Sequence, residues 1–186
     1  MTLPWMIGLG VAAVVVLWLM LTYNGLVARR MAVRAAWGQI DVVLKRRYDL
    51  IPNLVETVRG YAAHEKETLE RVIAARNQAV SARGPAGVAA AEGMLSGLLR
   101  QLFAVAEAYP DLKANANFQQ LQGELASSEN LIASARQQYN NLVQVYNASI
   151  AMFPTSVVAG VFGFREEEFF ELTEAAQREA PKVRFT

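Results

Sequence analysis

The sequence has no cysteine and a single histidine, His64. Without thiols there is no disulfide framework, no thiolate metal site and no cysteine nucleophile. One histidine also rules out the helical zinc motif, which needs two. A glycine-rich nucleotide box is missing, and 186 residues leave no room for an ATP-binding kinase module. Net charge is nearly absent too, since Lys+Arg 18 against Asp+Glu 17 leaves +1. No global basic field therefore marks the chain as a nucleic-acid binder.

Charge is lacking locally as well. The first 28 residues carry no charged side chain, and Leu3 to Tyr23, LPWMIGLGVAAVVVLWLMLTY, is apolar almost throughout. About 20 helical residues at ~1.5 Å rise cross a hydrocarbon core of ~30 Å. Residues 1–23 therefore read as a transmembrane anchor, in contact with the lipid bilayer through residues 3–23. Trp5, Trp18 and Tyr23 are candidates for the membrane interface. A signal peptide is the competing reading, but it needs a basic start and a shorter apolar core than this. Arg29, Arg30 and Arg34 come soon after the anchor, and the positive-inside bias predicts a cytoplasmic C-terminal domain. Within the anchor, Gly8 and Ala12 make a small-xxx-small pair, a weak signal for helix pairing.

Beyond the anchor the chain turns to helical periodicity. From Phe118 to Phe153 a three-four spacing picks out Leu121, Leu125, Ser128, Ile132, Ala135, Tyr139, Leu142, Tyr146 and Ser149, the mark of a long helix packed in coiled-coil fashion. Leu26, Val33, Trp37, Ile40 and Leu44 share a face of one helix, and Leu54, Val58, Tyr61, Thr68, Val72, Ala75 and Ala79 a face of another. RGPAG at Arg83 to Gly87 and YPDLKAN at Tyr109 to Asn115 are turn signals. Pro52 either kinks one long helix or opens a new one capped by Asp49. Balanced helix lengths favour a reversal near Asp49. The expected fold is all-α: an N-terminal transmembrane helix followed by an antiparallel four-helix bundle over 24–153, with helices about 24–48, 52–83, 88–107 and 115–152. Residues 154–186 form a C-terminal segment with a short helix.

Three groups of residues invite a chemical reading. His64 with Glu65 is a conceivable base and carboxylate, but neighbours on a helix diverge by about 100° and make no joint site. A surface or inter-helix polar contact fits them better. Lys45, Arg46, Arg47 and Asp49 cluster at the expected corner, where they either bind an anionic partner or offset the helix dipole and solvate the corner. Tyr139, Asn140, Tyr146 and Asn147 lie on the last helix. Carboxamides do not titrate, so they suit hydrogen bonds between helices or subunits rather than catalysis. No catalytic, metal or cofactor-binding residue is assigned, and no cofactor is expected. At the chain's far end, Phe162, Phe164, Phe169 and Phe170 either touch the membrane interface or cap the open bundle. The acidic run Glu166 to Glu168 is expected to face away from lipid or to pair with Arg29 and Arg30.

Three long blocks, YNGLVARRMAVRAAWGQIDVVLKRRYDLIPNLVETVRGYAAHE (Tyr23 to Glu65), AVAEAYPDLKANANFQQLQGELASSENLIASARQQYNNLVQVYN (Ala104 to Asn147) and FPTSVVAGVFGF (Phe153 to Phe164), resemble the LemA family in order and over essentially the whole chain. The resemblance implies a bacterial protein with an N-terminal membrane helix and a helical-bundle domain, and supplies no catalytic residues. The expectation is a non-enzymatic, single-pass protein of the bacterial cytoplasmic (inner) membrane. It would self-associate as a homo-oligomer or scaffold partners at the cell envelope. An adaptor presenting a client membrane protein is the alternative, a hydrolase using His64 a third; nucleic acid is not an expected partner.

Overall fold

A computed structural model describes residues 3–171. Its regular elements are all helices: α1 (Leu3–Arg59), α2 (Lys66–Ser81), α3 (Gly84–Ala106), α4 (Pro110–Lys113), α5 (Ala116–Ala151) and α6 (Thr155–Val161). The short helix expected in the C-terminal segment is α6. The remainder of that segment, 172–186, lies outside the described residues.

The first helix corrects one expectation. No reversal occurs near Asp49; α1 continues through Pro52 to Arg59, and the turn falls at 60–65, opened by Gly60. Proline inside a helix leaves the carbonyl four residues earlier without its N–H donor. Here that carbonyl belongs to Tyr48, and the Arg76 Nε on α2 donates to it at 3.1 Å. A donor from the next helix thus replaces the one that proline lacks, and the helix persists. The helices expected at 24–48 and 52–83 are accordingly the end of α1 and a shorter α2. The later turns fall where the sequence puts them, with Pro85 in the first turn of α3 and Gly84 at φ 72, a left-handed conformation that favours glycine.

The chain divides into two compact units. The described part of one is 3–39 with 135–168. There Leu26, Val33 and Ala36 on α1 are buried, as are Tyr139, Val143 and Tyr146 on α5. Trp37 stacks obliquely on Tyr139 with ring centres 5.3 Å apart, and Arg29 donates to the Ser149 hydroxyl. A bend of 91° separates α5 from α6, which lays Val158 and Ala159 against Leu26 in a small cluster joined by Ile150 and Phe164.

The described part of the other unit is 40–134 with 169–171. It is a helical bundle made from the last part of α1, α2, α3 and the first part of α5, with α4 between the latter two. Tyr48 meets Arg76 and Glu92, residues set at comparable distances from the intervening turns, so α1, α2 and α3 run antiparallel. Ile40, Ile51, Leu54, Leu69, Val72, Leu95, Leu99 and Leu102 fill its core, and Phe103 meets Phe118 edge-on at 6.2 Å to bring in α5. Each such side chain contributes about 1.5–3 kcal/mol when fully buried.

Two of the described helices are long and apolar enough to cross a membrane. In α1 the most apolar window has a mean hydropathy of 2.3 and no part of it is buried in protein, whereas in α3 it is 1.2 and 39% is buried. Val88, Leu95, Leu99 and Leu102 of α3 are buried in the bundle core, whereas the apolar side chains of α1 before Tyr23 are exposed among the described residues.

Candidate interaction site on α5

Polar side chains in an apolar core must find partners, and two clusters meet that demand differently. The first surrounds Arg47, which is 3% exposed. Its Nη1 donates to Glu92 Oε2 at 3.0 Å, its Nη2 to Ser96 Oγ at 2.8 Å, and the Tyr48 hydroxyl donates to Glu92 Oε1 at 2.7 Å. Burial pushes the Glu92 carboxyl above its ordinary value and Glu129 adds to this, while Arg47 and the Tyr48 hydrogen bond pull it back. The Tyr48 phenol is pushed up by burial and by Glu92. Both carboxylate oxygens are engaged, so this cluster holds α1 to α3 and presents no free base.

The corner expected at Lys45, Arg46, Arg47 and Asp49 is therefore corrected: these residues lie inside α1, not at a helix end. Lys45 and Asp49 pair at 3.6 Å on the exposed side, Arg46 is exposed and Arg47 is buried. Lys45 and Asp49 line a cleft of about 360 Å³ together with Asp41, Tyr48, Arg76 and Arg83. With the helix continuing past them, neither the dipole role nor the capping role applies. His64 sits exposed in the turn, and its neighbour Glu65 accepts from the Tyr109 hydroxyl at 3.2 Å.

The second cluster gathers three of the expected α5 residues. Tyr139, Tyr146 and Asn147 recur at helical spacing, and all reach one segment of chain, 165–168, which has no helix or strand of its own. The Tyr146 hydroxyl donates to the Arg165 carbonyl at 3.0 Å and the Tyr139 hydroxyl to the Glu168 carbonyl at 2.8 Å. Asn147 makes a reciprocal pair: its Nδ2 donates to the Glu167 carbonyl at 2.9 Å and its Oδ1 accepts the Glu167 N–H at 3.0 Å. A carboxamide has the donor and acceptor of a peptide group, so Asn147 treats residue 167 as one strand treats another. Every one of these four bonds ends on main-chain atoms. Arg30 adds a side-chain contact to the same stretch, an ion pair with Glu167 at 3.6 Å. Burial, then Glu167 and Glu168, push the Tyr139 phenol up to about 12, which keeps it a donor. Asn140, the fourth expected residue, is half-buried.

A third feature stands beside Tyr23. Phe162 and Phe164 set their rings 4.8 and 5.7 Å from the Tyr23 ring, and Tyr23 and Phe162 line a groove of about 250 Å³ with Leu19, Met20 and Asn24. Nearby side chains on and before α6 face outward, Phe153 at 84% exposure and Val161 at 75%. Trp5 and Trp18 are exposed along α1. Phe170 is buried and Phe169 is exposed, so the four phenylalanines do not act as one group. Glu167 pairs with Arg30, in line with the expectation for the acidic run. Among the described residues no three His, Asp or Glu side chains converge to hold a metal ion.

The spacing of Tyr139 and Tyr146 was legible as a core stripe, but their hydroxyl partners were not. No local pattern announces that an extended segment some twenty residues on will return along α5.

Comparison with known proteins adds ancestry. The family model described as "LemA family" matches residues 36–185. Magnetosome protein MamQ 2 of Paramagnetospirillum magneticum is 26% identical over 179 residues, which cover 82% of this chain and 66% of that protein. Magnetosome protein MamQ of Magnetospirillum gryphiswaldense is 26% identical over 178 residues, 82% of this chain and 65% of its own length. Protein LemA of Metamycoplasma hominis is 26% identical over 155 residues, with 81% and 69% covered. The chain thus spans slightly under two thirds of the length of the MamQ relatives it matches. None of these names denotes an enzymatic activity.

Proposed function

The chain belongs to the LemA family, and on that premise we propose that it is a non-enzymatic, membrane-anchored helical protein that self-associates and scaffolds partners at the cell envelope. One observation carries the reading. The exposed apolar part of α1 passes without a break into the part whose Leu26, Val33 and Ala36 are buried, so a single helix serves both lipid and protein core. The outward apolar residues Phe153, Val157, Val161 and Phe162 lie on the segment that meets Tyr23, and they extend the lipid-facing surface sideways at the level where α1 leaves the bilayer. Exposed apolar area of this kind marks a membrane or protein contact.

The polar clusters support a structural role. Arg47 and Tyr48 together engage both Glu92 carboxylate oxygens, and the α5 amide and phenols hold main chain; neither arrangement offers a poised acid and base around an open pocket. In this reading the bundle faces the cytoplasm from the inner membrane. Chemical crosslinking in intact membranes, followed by sizing of the detergent-solubilised full-length protein, tests it. Homo-oligomers in both are the expected result, whereas a strict monomer in both overturns self-association and leaves the adaptor. A His64→Ala variant is expected to keep the full cellular phenotype, and its loss would restore the hydrolase reading.

A further inference from the structure

We propose that the groove between the end of the α1 span and α6 is a site for one glycerophospholipid, with an acyl chain laid against Leu19, Met20 and Phe162 and the glycerol ester region held at Tyr23 and Asn24. The inference rests on the membrane anchor proposed above and assigns it a resident lipid.

The place of the groove names its occupant. Leu19, Met20, Tyr23 and Asn24 line it from α1, and Phe162 forms the facing wall. Leu19 to Tyr23 is the last ~6 Å of the apolar segment at the standard helical rise. The most apolar window of α1 has no part buried in protein, and Leu19 and Met20 are themselves exposed. An apolar cleft at the end of such a span opens on hydrocarbon chains.

The wall from α6 makes this a cleft rather than a bare helix flank. The Phe162 N–H donates to the Val158 carbonyl at 3.0 Å and the Phe164 N–H to the Ala159 carbonyl at 2.9 Å, and both rings pack on Tyr23. The Phe162 ring is thus fixed in advance, and a chain entering the cleft meets protein on two sides where the rest of the span offers one. A pre-formed lining spares the ordering cost of binding.

Polar groups stand at one end only. The Tyr23 hydroxyl and the Asn24 carboxamide have no hydrogen-bond partner among the described residues, and both can donate to ester carbonyls. Neither carries charge. The cations that follow on α1 are engaged elsewhere, Arg29 by Ser149 and Arg30 by Glu167. The site therefore reads the glycerol ester region that glycerophospholipids share, not the headgroup. In the other direction Trp5, Gly8, Ala12, Val16, Leu19 and Tyr23 recur at three- and four-residue steps, one stripe of α1 about 27 Å long. A Cβ added at Gly8 would meet no atom, so small residues leave a shallow track along which the rest of the acyl chain lies.

The test uses the full-length protein in detergent with a few equivalents of a phosphatidylcholine that carries a diazirine on its acyl chain, and maps the photo-adducts by mass spectrometry. Adducts concentrated on Leu19 to Asn24 and on Phe162 are expected, with few at Val14, Leu17 and Leu21, which are exposed on the opposite face of the same helix. Met20→Trp fills the groove from an exposed position and should abolish the groove adducts alone; Asn24→Leu should weaken them several-fold. Unlabelled phosphatidylglycerol should displace the probe as well as unlabelled phosphatidylcholine does, and displacement by only one of them overturns recognition through the ester region. Adducts spread evenly round α1 overturn the site. A groove without adducts, in a protein whose Gly8→Cys form gives a disulfide dimer, assigns the face to helix pairing instead. Release of the protein from membranes by alkaline carbonate would overturn the anchor itself, whereas an integral protein with even labelling loses only the lipid site.

Discussion

The Arg76 guanidinium donates to the Tyr48 carbonyl at 3.1 Å, the acceptor that Pro52 leaves bare four residues along the same helix. Two residues on separate helices thereby settle whether α1 ends near Asp49 or carries on to Arg59. The bond ties the course of the first helix to the presence of the second.

Arg76→Ala is accordingly expected to destabilise the protein by about 1–3 kcal/mol, the cost of a partly buried carbonyl left without a donor. In Pro52→Ala the backbone N–H returns and Tyr48 regains its helical partner. The same Arg76→Ala change should then cost much less. Thermal melts of the four full-length proteins in detergent, followed by circular dichroism, give the coupling; equal costs in both backgrounds would contradict the compensation.

The buried ion pair predicts a larger effect. Arg47→Met strands the Glu92 carboxylate in the core, a loss of about 3–5 kcal/mol. Adding Glu92→Gln should recover most of it, since no bare charge remains buried. Both are read as shifts in the melting midpoint.

Glu92 also predicts a pH dependence. Its folded carboxyl binds a proton more readily than the unfolded one, whose ordinary value is 4.5, so protonation favours the folded state. The contribution is fully present below 4.5 and is lost as pH rises through the elevated folded value. Melting midpoints taken across this acidic range should fall less steeply with rising pH in Glu92→Gln than in the wild type. Asp41, raised mainly by burial, contributes in the same sense and remains in both proteins.

The proposed contact of α6 with the bilayer is open to a direct measurement. Because the chain has no cysteine, Val161→Cys gives a unique attachment point for a fluorophore. Lipids carrying a quencher should dim it, as they dim a label placed at Tyr23. Quenching at Tyr23 alone would assign Phe162 and Phe164 to capping the protein core.

The positive-inside bias at Arg29, Arg30 and Arg34 predicts an orientation. Alkaline phosphatase fused after Thr186 should be inactive and a fluorescent protein fused there should be bright, the pattern of a cytoplasmic domain. The reverse pattern would invert the topology.

Much of the fold could be read from residue spacing. The α5 stripe from Phe118 to Ser149 is buried or half-buried at every position named, and fails at Phe153, where α5 has ended and the chain turns outward. The turn at RGPAG fell in place because glycine and proline act locally. Pro52 misled because its remedy is not local: the donor stands on the next helix. A signal of continuity was nevertheless present. Leu26, Val33, Ile40, Arg47 and Leu54 recur every seven residues, with Trp37, Leu44, Ile51 and Val58 on the companion stripe, in phase across the proline. Following that rhythm places Arg47 in the core, whereas its neighbours Lys45 and Arg46 point to water. The polar face of α5 was only half legible: its residues stood out by type, but their partner is a segment whose own sequence, REEE, looks like solvated charge.

Glu92 has a consequence before the bundle exists. During synthesis α3 emerges as a stretch of 23 residues, apolar enough to span a bilayer, while its packing partners on α5 have not been made. A charged side chain near the middle of a candidate span costs insertion about 2.5–3.5 kcal/mol, and Arg100 adds a second charge one face away. The carboxylate that later locks onto Arg47 therefore also weighs against insertion of α3, the less apolar of the two candidate spans.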